Sequence, residues 1–263
     1  MRKIALIFGI LLAVLDSRAS IGIINGLSHE LTGAPGEVIQ GYIEVANLGK
    51  MSERVTLSAS DYSFQSSGEI DYPEAGSLKR SNAEWITISP AFADLAPKEK
   101  VRFMFEVRIP DDDTLRGSYW SVFMVEGSAP LDTNVLRGML TMVNRLRYAV
   151  QVVTTIGQTG LRELLFTGVG VHREDSLTLL HIDIANPGER LLKPILSAEI
   201  FDTGGQSLGT FQTAIKRLYP GTSSRFTLEL PRLPKASYQA LLVADCKEED
   251  IFGTTISFEI TDD

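Results

Sequence analysis

Gly138 to Thr154 reads GMLTMVNRLRYAVQVVT. Even positions Leu140, Met142, Leu146, Tyr148, Val150 and Val152 are apolar, and Asn144 is the interruption. Thr141, Arg145, Arg147 and Gln151 stand at odd positions, with Val143, Ala149 and Val153 among them. Side chains of a strand alternate between its two faces, so a period of two marks a strand with one half-buried face. Strands of globular proteins usually run about 5–6 residues. A strand that continues through this whole stretch outruns its own domain, and the excess is expected to offer an edge to a partner.

Upstream, the same alternation recurs between turn signals. It is clear in Val38–Asn47, Arg54–Ser60 and Val101–Pro110; Trp85–Pro90, stopped by its proline, and Gly117–Glu126 read as further strands, and residues 73–84 as a loop. Downstream, seven further strands are expected: Leu161–Val171, Ser176–Ala185, Leu192–Phe201, Ser207–Ile215, Ser223–Leu230, Ser237–Cys246 and Ile251–Ile260. Asn186-Pro187-Gly188, Asp202-Thr203-Gly204-Gly205 and Tyr219-Pro220-Gly221 separate them as turn formers. The helical period is nearly absent. Strands with turn signals at intervals of about 8–12 residues predict an antiparallel sandwich, and seven of them suffice for one immunoglobulin-like unit. The expected fold is all-β, two tandem immunoglobulin-like β-sandwiches, spanning 20–154 and 155–263. Val45-Ala46-Asn47-Leu48-Gly49 and Ile184-Ala185-Asn186-Pro187-Gly188 occupy similar places in the two halves, as related modules would.

The first residues read as a leader. Met1-Arg2-Lys3 is positive, Ile4–Leu15 is apolar and uncharged, and Ser17-Arg18-Ala19 supplies small residues for cleavage before Ser20. The apolar run is short for a bilayer span, so residues 1–19 are expected to be a signal peptide and not an anchor. The formal net charge of −8 becomes −10 once this segment, with three basic residues and one acidic, is removed. Such acidity disfavours nucleic acid or an anionic membrane surface as the main partner. Periplasm or cell surface is the expected location. The single cysteine, Cys246, ends an apolar run and reads as a buried, inert thiol.

Ser89-Pro90, Leu95-Ala96-Pro97, the Val101–Ile109 strand, Arg116-Gly117-Ser118-Tyr119-Trp120, Asn134-Val135-Leu136 and Arg145-Leu146-Arg147-Tyr148 follow one another in that order. This run resembles the amino-terminal immunoglobulin-like domain of the PapD-like periplasmic pilus-assembly chaperones. Asp61-Tyr62-Ser63-Phe64 with Gly68 and Ile70-Asp71-Tyr72 is more similar to WxL-interacting cell-surface proteins, which also carry two such domains. The chaperone resemblance implies that the long strand is donated to an incomplete subunit, with Leu136, Leu140 and Met142 as the inserted side chains. It also implies a basic residue at the end of the strand, here Arg147, which in that family joins an arginine near the mature start to clamp the subunit's carboxylate. Residues 20–37 contain neither arginine nor lysine, and His29 is the one group there that can become positive. Arg145 and Arg147 share a face; they suit either a carboxylate partner or the protective charge of an edge strand.

Motifs for catalysis and metal binding are missing. His29-Glu30 lacks a second histidine at zincin spacing, and Gly168-Val169-Gly170 lacks the third glycine and the strand–helix context of a dinucleotide fingerprint. Asp111-Asp112-Asp113 lacks the spaced ligands of a calcium loop. His181 falls opposite Leu180, Ile182 and Ile184 and reads as a surface histidine. Trp85, Phe103, Phe105, Tyr119 and Trp120 are expected in the sandwich core. Tyr62, Phe64 and Tyr72 are the best candidates for a carbohydrate platform. No cofactor and no enzymatic activity are expected. The chain reads as a chaperone-like protein that binds an exported polypeptide or surface-structure subunit by strand addition. The alternative is an envelope structural or adhesion module that binds a surface protein or glycan without chaperoning.

Overall fold

A computed structural model describes residues 21–128, 146–174, 176–247 and 250–261. The leader, Leu136, Leu140, Met142 and Arg145 lie outside the described residues. The chain begins by dividing its pairing between two sheets. β1 (Ile21–Ile23) lies antiparallel to β3 (Val38–Asn47), whereas β2 (Ser28–Gly33) lies parallel to β11 (Arg147–Ile156). The first sheet runs β1-β3-β9-β7, where β7 is Ile86–Ser89 and β9 is Lys100–Arg108. The facing sheet runs β2-β11-β10-β4-β8, where β4 is Glu53–Ser60, β8 is Phe92–Leu95 and β10 is Gly117–Ser128. A two-residue ribbon, β5 (Ser63–Phe64) with β6 (Ile70–Asp71), stands apart. β1, β2 and β8 are additions to the strands read from sequence.

Alternation places the core. In β9, Phe103, Phe105 and Val107 are buried while Arg102 and Met104 face out. They meet Ile43, Val45, Val55, Phe123, Val150 and Val152 from the neighbouring and facing strands. Gly41 of β3 pairs with Phe105, and a Cβ there would lie 2.3 Å from the ring, so glycine leaves the space that Phe105 fills.

The second sandwich has the seven strands expected. β12 (Leu165–Arg173), β13 (Leu177–Ala185) and β16 (Ser223–Pro231) make one sheet in the order β12-β13-β16. β14 (Ile195–Phe201), β15 (Ser207–Gln212), β17 (Ser237–Asp245) and β18 (Ile251–Glu259) make the other, ordered β15-β14-β17-β18. Leu180, Ile182, Ile184, Leu196, Phe226 and Leu242 lie in the core between them. Two strands start later than the alternation suggests. Leu161 is spent on the connection, its carbonyl accepting from Glu189 N–H at 2.8 Å, and Leu192 makes only an isolated bridge with Leu218.

Two buried asparagines make matching hydrogen bonds in the two modules. Asn47 at the end of β3 donates from Nδ2 to the Met51 and Leu95 carbonyls, and its Oδ1 accepts from Gly49 N–H. Asn186, just after β13, donates to the Arg190 and Leu218 carbonyls and accepts from Gly188 N–H. Each thus folds the turn that follows it and ties that turn to a distant segment. An apolar side chain could do neither.

The long loop before β7 is built on Asp61, which is fully buried. Its carboxylate accepts from the N–H groups of Gly76 and Leu78 and from the hydroxyls of Ser77 and Ser81. Asn82, at the end of the loop, donates to the Val152 carbonyl at 3.1 Å and to Thr154 Oγ1 at 3.0 Å, docking it on β11. Removing the acceptor leaves four donors without it. Asp61→Ala is therefore expected to lower the unfolding free energy by about 2–4 kcal/mol in urea titrations and to speed tryptic cleavage at Lys79 and Arg80. Unchanged stability and cleavage would show that the loop folds without this carboxylate.

Candidate interaction site along the last strand of the first sandwich

β11 pairs with β10 over its whole length, from Arg147 opposite Glu126 to Ile156 opposite Gly117. On its other side, β2 pairs with it only from Gln151 to Ile156. Gln151 N–H donates to the Leu27 carbonyl at 2.9 Å, and Gly157 N–H to the Gly33 carbonyl at 3.0 Å. Odd-numbered amides therefore point toward β2. Backbone groups alternate along a strand, so the amides of Arg147 and Ala149 point to the same side, beyond the point where β2 begins. Among the described residues, Arg147–Val150 is paired on one side only. The open edge expected from the sequence is thus confined to this upstream part, because β2 makes the rest of the strand an interior one.

The even face of β11 carries Val150, Val152 and Ile156 into the first core. Tyr148 packs against it and donates its hydroxyl to the Ile21 carbonyl at 2.9 Å. The odd face turns toward the second sandwich. Val153 joins Trp120 and Tyr219 in a small separate cluster, with the Trp120 and Tyr219 rings stacked 4.8 Å apart. Trp120 therefore belongs to this junction and not to the sandwich core expected for it. It sits on the outer face of β10, opposite Val153, where the second sandwich covers it. Its Nε1–H donates to the Tyr62 carbonyl at 2.7 Å, and the Tyr219 hydroxyl donates to Gln151 Oε1 at 2.6 Å. Burial pushes the Tyr219 phenol far above its ordinary range, so it remains a donor.

Polar ties surround the aromatic pair. Ser118 N–H donates to the Glu189 carbonyl at 2.7 Å, and Leu191 N–H donates to Ser118 Oγ at 3.0 Å. A Cβ on Gly117, which has φ +73°, would fall 2.0 Å from the Glu189 carbonyl oxygen, so this approach requires glycine. Arg80 reaches Glu189 at 3.0 Å, and Ser66 N–H donates to Ser223 Oγ at 2.9 Å. Glu30 of β2 takes ion pairs from Lys193 and Arg217.

Of the binding residues read from sequence, the described part of the strand contains Arg147. It lies mostly exposed at the open end of β11 and pairs with Glu126 across the ladder. His29 does not face the junction. It packs edge-on against Phe105 of the first core, ring centroids 5.7 Å apart, and its Nε2 is buried with no hydrogen-bond partner among the described residues. Burial pushes it below the usual imidazole range, which suits it poorly to a carboxylate. Tyr62, Phe64 and Tyr72 do gather, with Tyr62 centroids 5.3 Å from each of the other two. Tyr62 and Phe64 are half-buried against Tyr219, and Tyr72 is exposed beside them. Cys246 is half-buried, and burial raises its thiol to about 11. Among the described residues no group of three or more His, Cys, Asp or Glu side chains could hold a metal ion, and no helix is long and apolar enough to cross a membrane.

Sequence reasoning missed Glu30, Gln151, Lys193, Arg217 and Tyr219. The one available signal was Tyr219-Pro220-Gly221, which reads only as a turn.

No family model and no curated protein matches this sequence. Solved structures do. A chain from a chaperone–tip adhesin complex described as vital for synergistic activation of CFA/I fimbriae biogenesis is 12% identical, with a TM-score of 0.50 over 91% of this chain and 98% of that one. The class 5 fimbriae chaperone CfaA is 12% identical, with a TM-score of 0.48 over 92% and 99% of the two chains. The E. coli chaperone DraB is also 12% identical, with a TM-score of 0.43 over 92% and 98%. The chain shares the fold of the first of these, two tandem immunoglobulin-like sandwiches, which is the PapD-like chaperone fold.

Two expectations follow for the junction and for His29. Trp120→Ala removes the central ring and is expected to cost about 3–5 kcal/mol and to split the calorimetric transition into two. A single transition of unchanged midpoint would show that the sandwiches are coupled elsewhere. Because folding disfavours the imidazolium of His29, the unfolded chain binds the extra proton below the ordinary value of 6.5. Stability should therefore fall as the pH is lowered from 7 toward 5, and His29→Phe should flatten that part of the curve. Equal slopes in the two proteins would place the titrating group elsewhere.

Proposed function

We propose that the chain is an exported chaperone-like binding protein that holds a secreted or surface polypeptide by strand addition to β11. The observation that carries this reading is the one-sided pairing of Arg147–Val150. A partner strand laid there would continue the line of β2 and take up the amides of Arg147 and Ala149. Main-chain hydrogen bonds would supply affinity, and alternate side chains specificity.

In the sequence before Arg147, apolar residues recur at the even positions Leu140, Met142 and Leu146. Leu140 and Met142, with Leu136 further up, are the side chains proposed to enter an apolar groove of the partner. Arg145 and Arg147 would flank that insertion on the odd face. The Glu126 partner of Arg147 makes the edge-protecting role the nearer one for it. A fold shared with a chain of a chaperone–tip adhesin complex supports a surface subunit as the partner. The leader-like first residues and the acidic composition support export to the periplasm or cell surface. The activity is binding and not catalysis.

The test is capture from envelope extract by the mature protein, compared with a Leu140→Asp/Met142→Asp variant that circular dichroism shows to be folded. A polypeptide retained by the wild type and lost by the variant is the expected result. Equal retention by both, or retention by neither, would overturn strand addition.

A further inference from the structure

On the flank of Tyr219, where the β5–β6 ribbon meets the second sandwich, the surface forms an open cavity of about 460 Å³. Its size lies in the range of small-ligand sites, roughly 300–1,000 Å³. Its lining is aromatic at Tyr62 and Phe64 and basic at Lys216 and Arg217, which stand on the connection between β15 and β16. Gln65, Ser66 and Gln151 add amide and hydroxyl groups to the lining.

The charge here runs against that of the molecule. The chain has a formal net charge of −8. The lining carries three cations, Lys216, Arg217 and Arg225, and the ion-pair partners of the two arginines, Glu30 and Asp183, are not part of it. Asp183 is fully taken by Arg225, through two bonds of 2.8 Å. Glu30 is shared between Lys193 and Arg217, with the Arg217 contact at 3.3 Å. Lys216 has no carboxylate partner among the described residues. Its ammonium donates to the Arg225 carbonyl and lies 5.1 Å from the Phe226 ring centroid. The cations of the lining thus outnumber the carboxylates paired with them by one, Lys216, in an otherwise acidic protein, and such a local reversal draws anions.

We propose that this cavity binds an acidic saccharide, with a pyranose ring on the Tyr62–Phe64 wall and its carboxylate between Lys216 and Arg217. Each part of the lining has a use in that arrangement. The aromatic faces, negative over the ring, attract the C–H groups of a pyranose. Amide and hydroxyl groups exchange hydrogen bonds with sugar hydroxyls. The two cations meet the acid. A neutral sugar would leave the cations unused, and a bare phosphate would leave the aromatic wall unused. The site lies beside Gln151, within the part of β11 that β2 covers, so it is separate from the edge offered for strand addition.

Calorimetric titration of the mature chain with trigalacturonate, its methyl ester and 3′-sialyllactose tests the assignment. At least one of the two acidic probes is expected to bind at one site per chain, with Lys216→Gln weakening it about tenfold or more and Lys216→Arg retaining it. The methyl ester should bind trigalacturonate's site about tenfold more weakly or not at all. Lys216→Gln is checked by thermal unfolding, and the Lys216→Arg result stands as the second readout. Absence of binding by both acidic probes would overturn the proposal, as would an ester that binds as well as its acid or a Lys216→Gln variant that binds unchanged. Binding of a hexapeptide with a free carboxyl terminus, with neither saccharide bound, would overturn it in favour of a polypeptide end. The Leu140→Asp/Met142→Asp variant should bind saccharide as the wild type does, which separates this site from the strand.

Discussion

The pairing of β2 with β11 stops at Gln151, and much of the molecule depends on where it stops. From Gln151 to Ile156 the last strand of the first sandwich is held on both sides, by β2 and by β10. Over Arg147–Val150, among the described residues, it is held by β10 alone. A strand fixed at one end and open at the other combines a rigid foundation with an unsatisfied edge. Such an edge is a liability in an ordinary sandwich and an asset in a protein that adds strands to a partner.

The rigid end serves the junction as well. Because β11 is interior there, its odd face is steady enough to present Gln151 and Val153 to the second sandwich. Trp120 and Tyr219 stack on that face, and the backbone of Gly117 comes close to Glu189 beside them. The parallel strand β2 contributes Glu30 to the same region, where it meets cations of the second sandwich. The acid on β2 thus occupies the part of the chain where the chaperone resemblance implies an arginine, and the basic groups near it come from the other module. Asn47 after β3 and Asn186 after β13 fold the following turn with the same asparagine device, although the surrounding sequences differ.

The period of two made most of the fold legible. It located β3, β4, β9 and the strands of the second sandwich, where a more buried face alternates with a more exposed one. β10, buried on both faces for most of its length, reads as a strand from its apolar run between turn signals. The period was silent on β1, β2 and β8, which are short. In β2, the apolar Leu31 stands alone among Ser28, His29, Glu30 and Thr32. Alternation also cannot say what a buried face is buried against. Phe103 and Trp120 have equivalent signatures, yet one fills the first core and the other the junction. The two readings left for Arg147 are separated only by register, since Glu126 becomes its neighbour once β10 and β11 are aligned. The basic part of the cavity lining at Lys216 and Arg217 was visible as two adjacent charges, but its aromatic part comes from more than a hundred residues earlier in the chain.

Hydrogen exchange followed amide by amide tests the central claim most directly, because β11 contains its own controls. In the unliganded protein the amides of Val150 and Val152 face β10 and should be protected, and those of Val153 and Thr155 should be protected by β2. The amide of Ala149, on the open side, should exchange orders of magnitude faster, near the rate of a fraying edge. Addition of the captured polypeptide should then protect Ala149 while leaving Val153 as it was. Protection of Ala149 equal to that of Val153 in the free protein would mean that the edge is already covered, and would contradict the account.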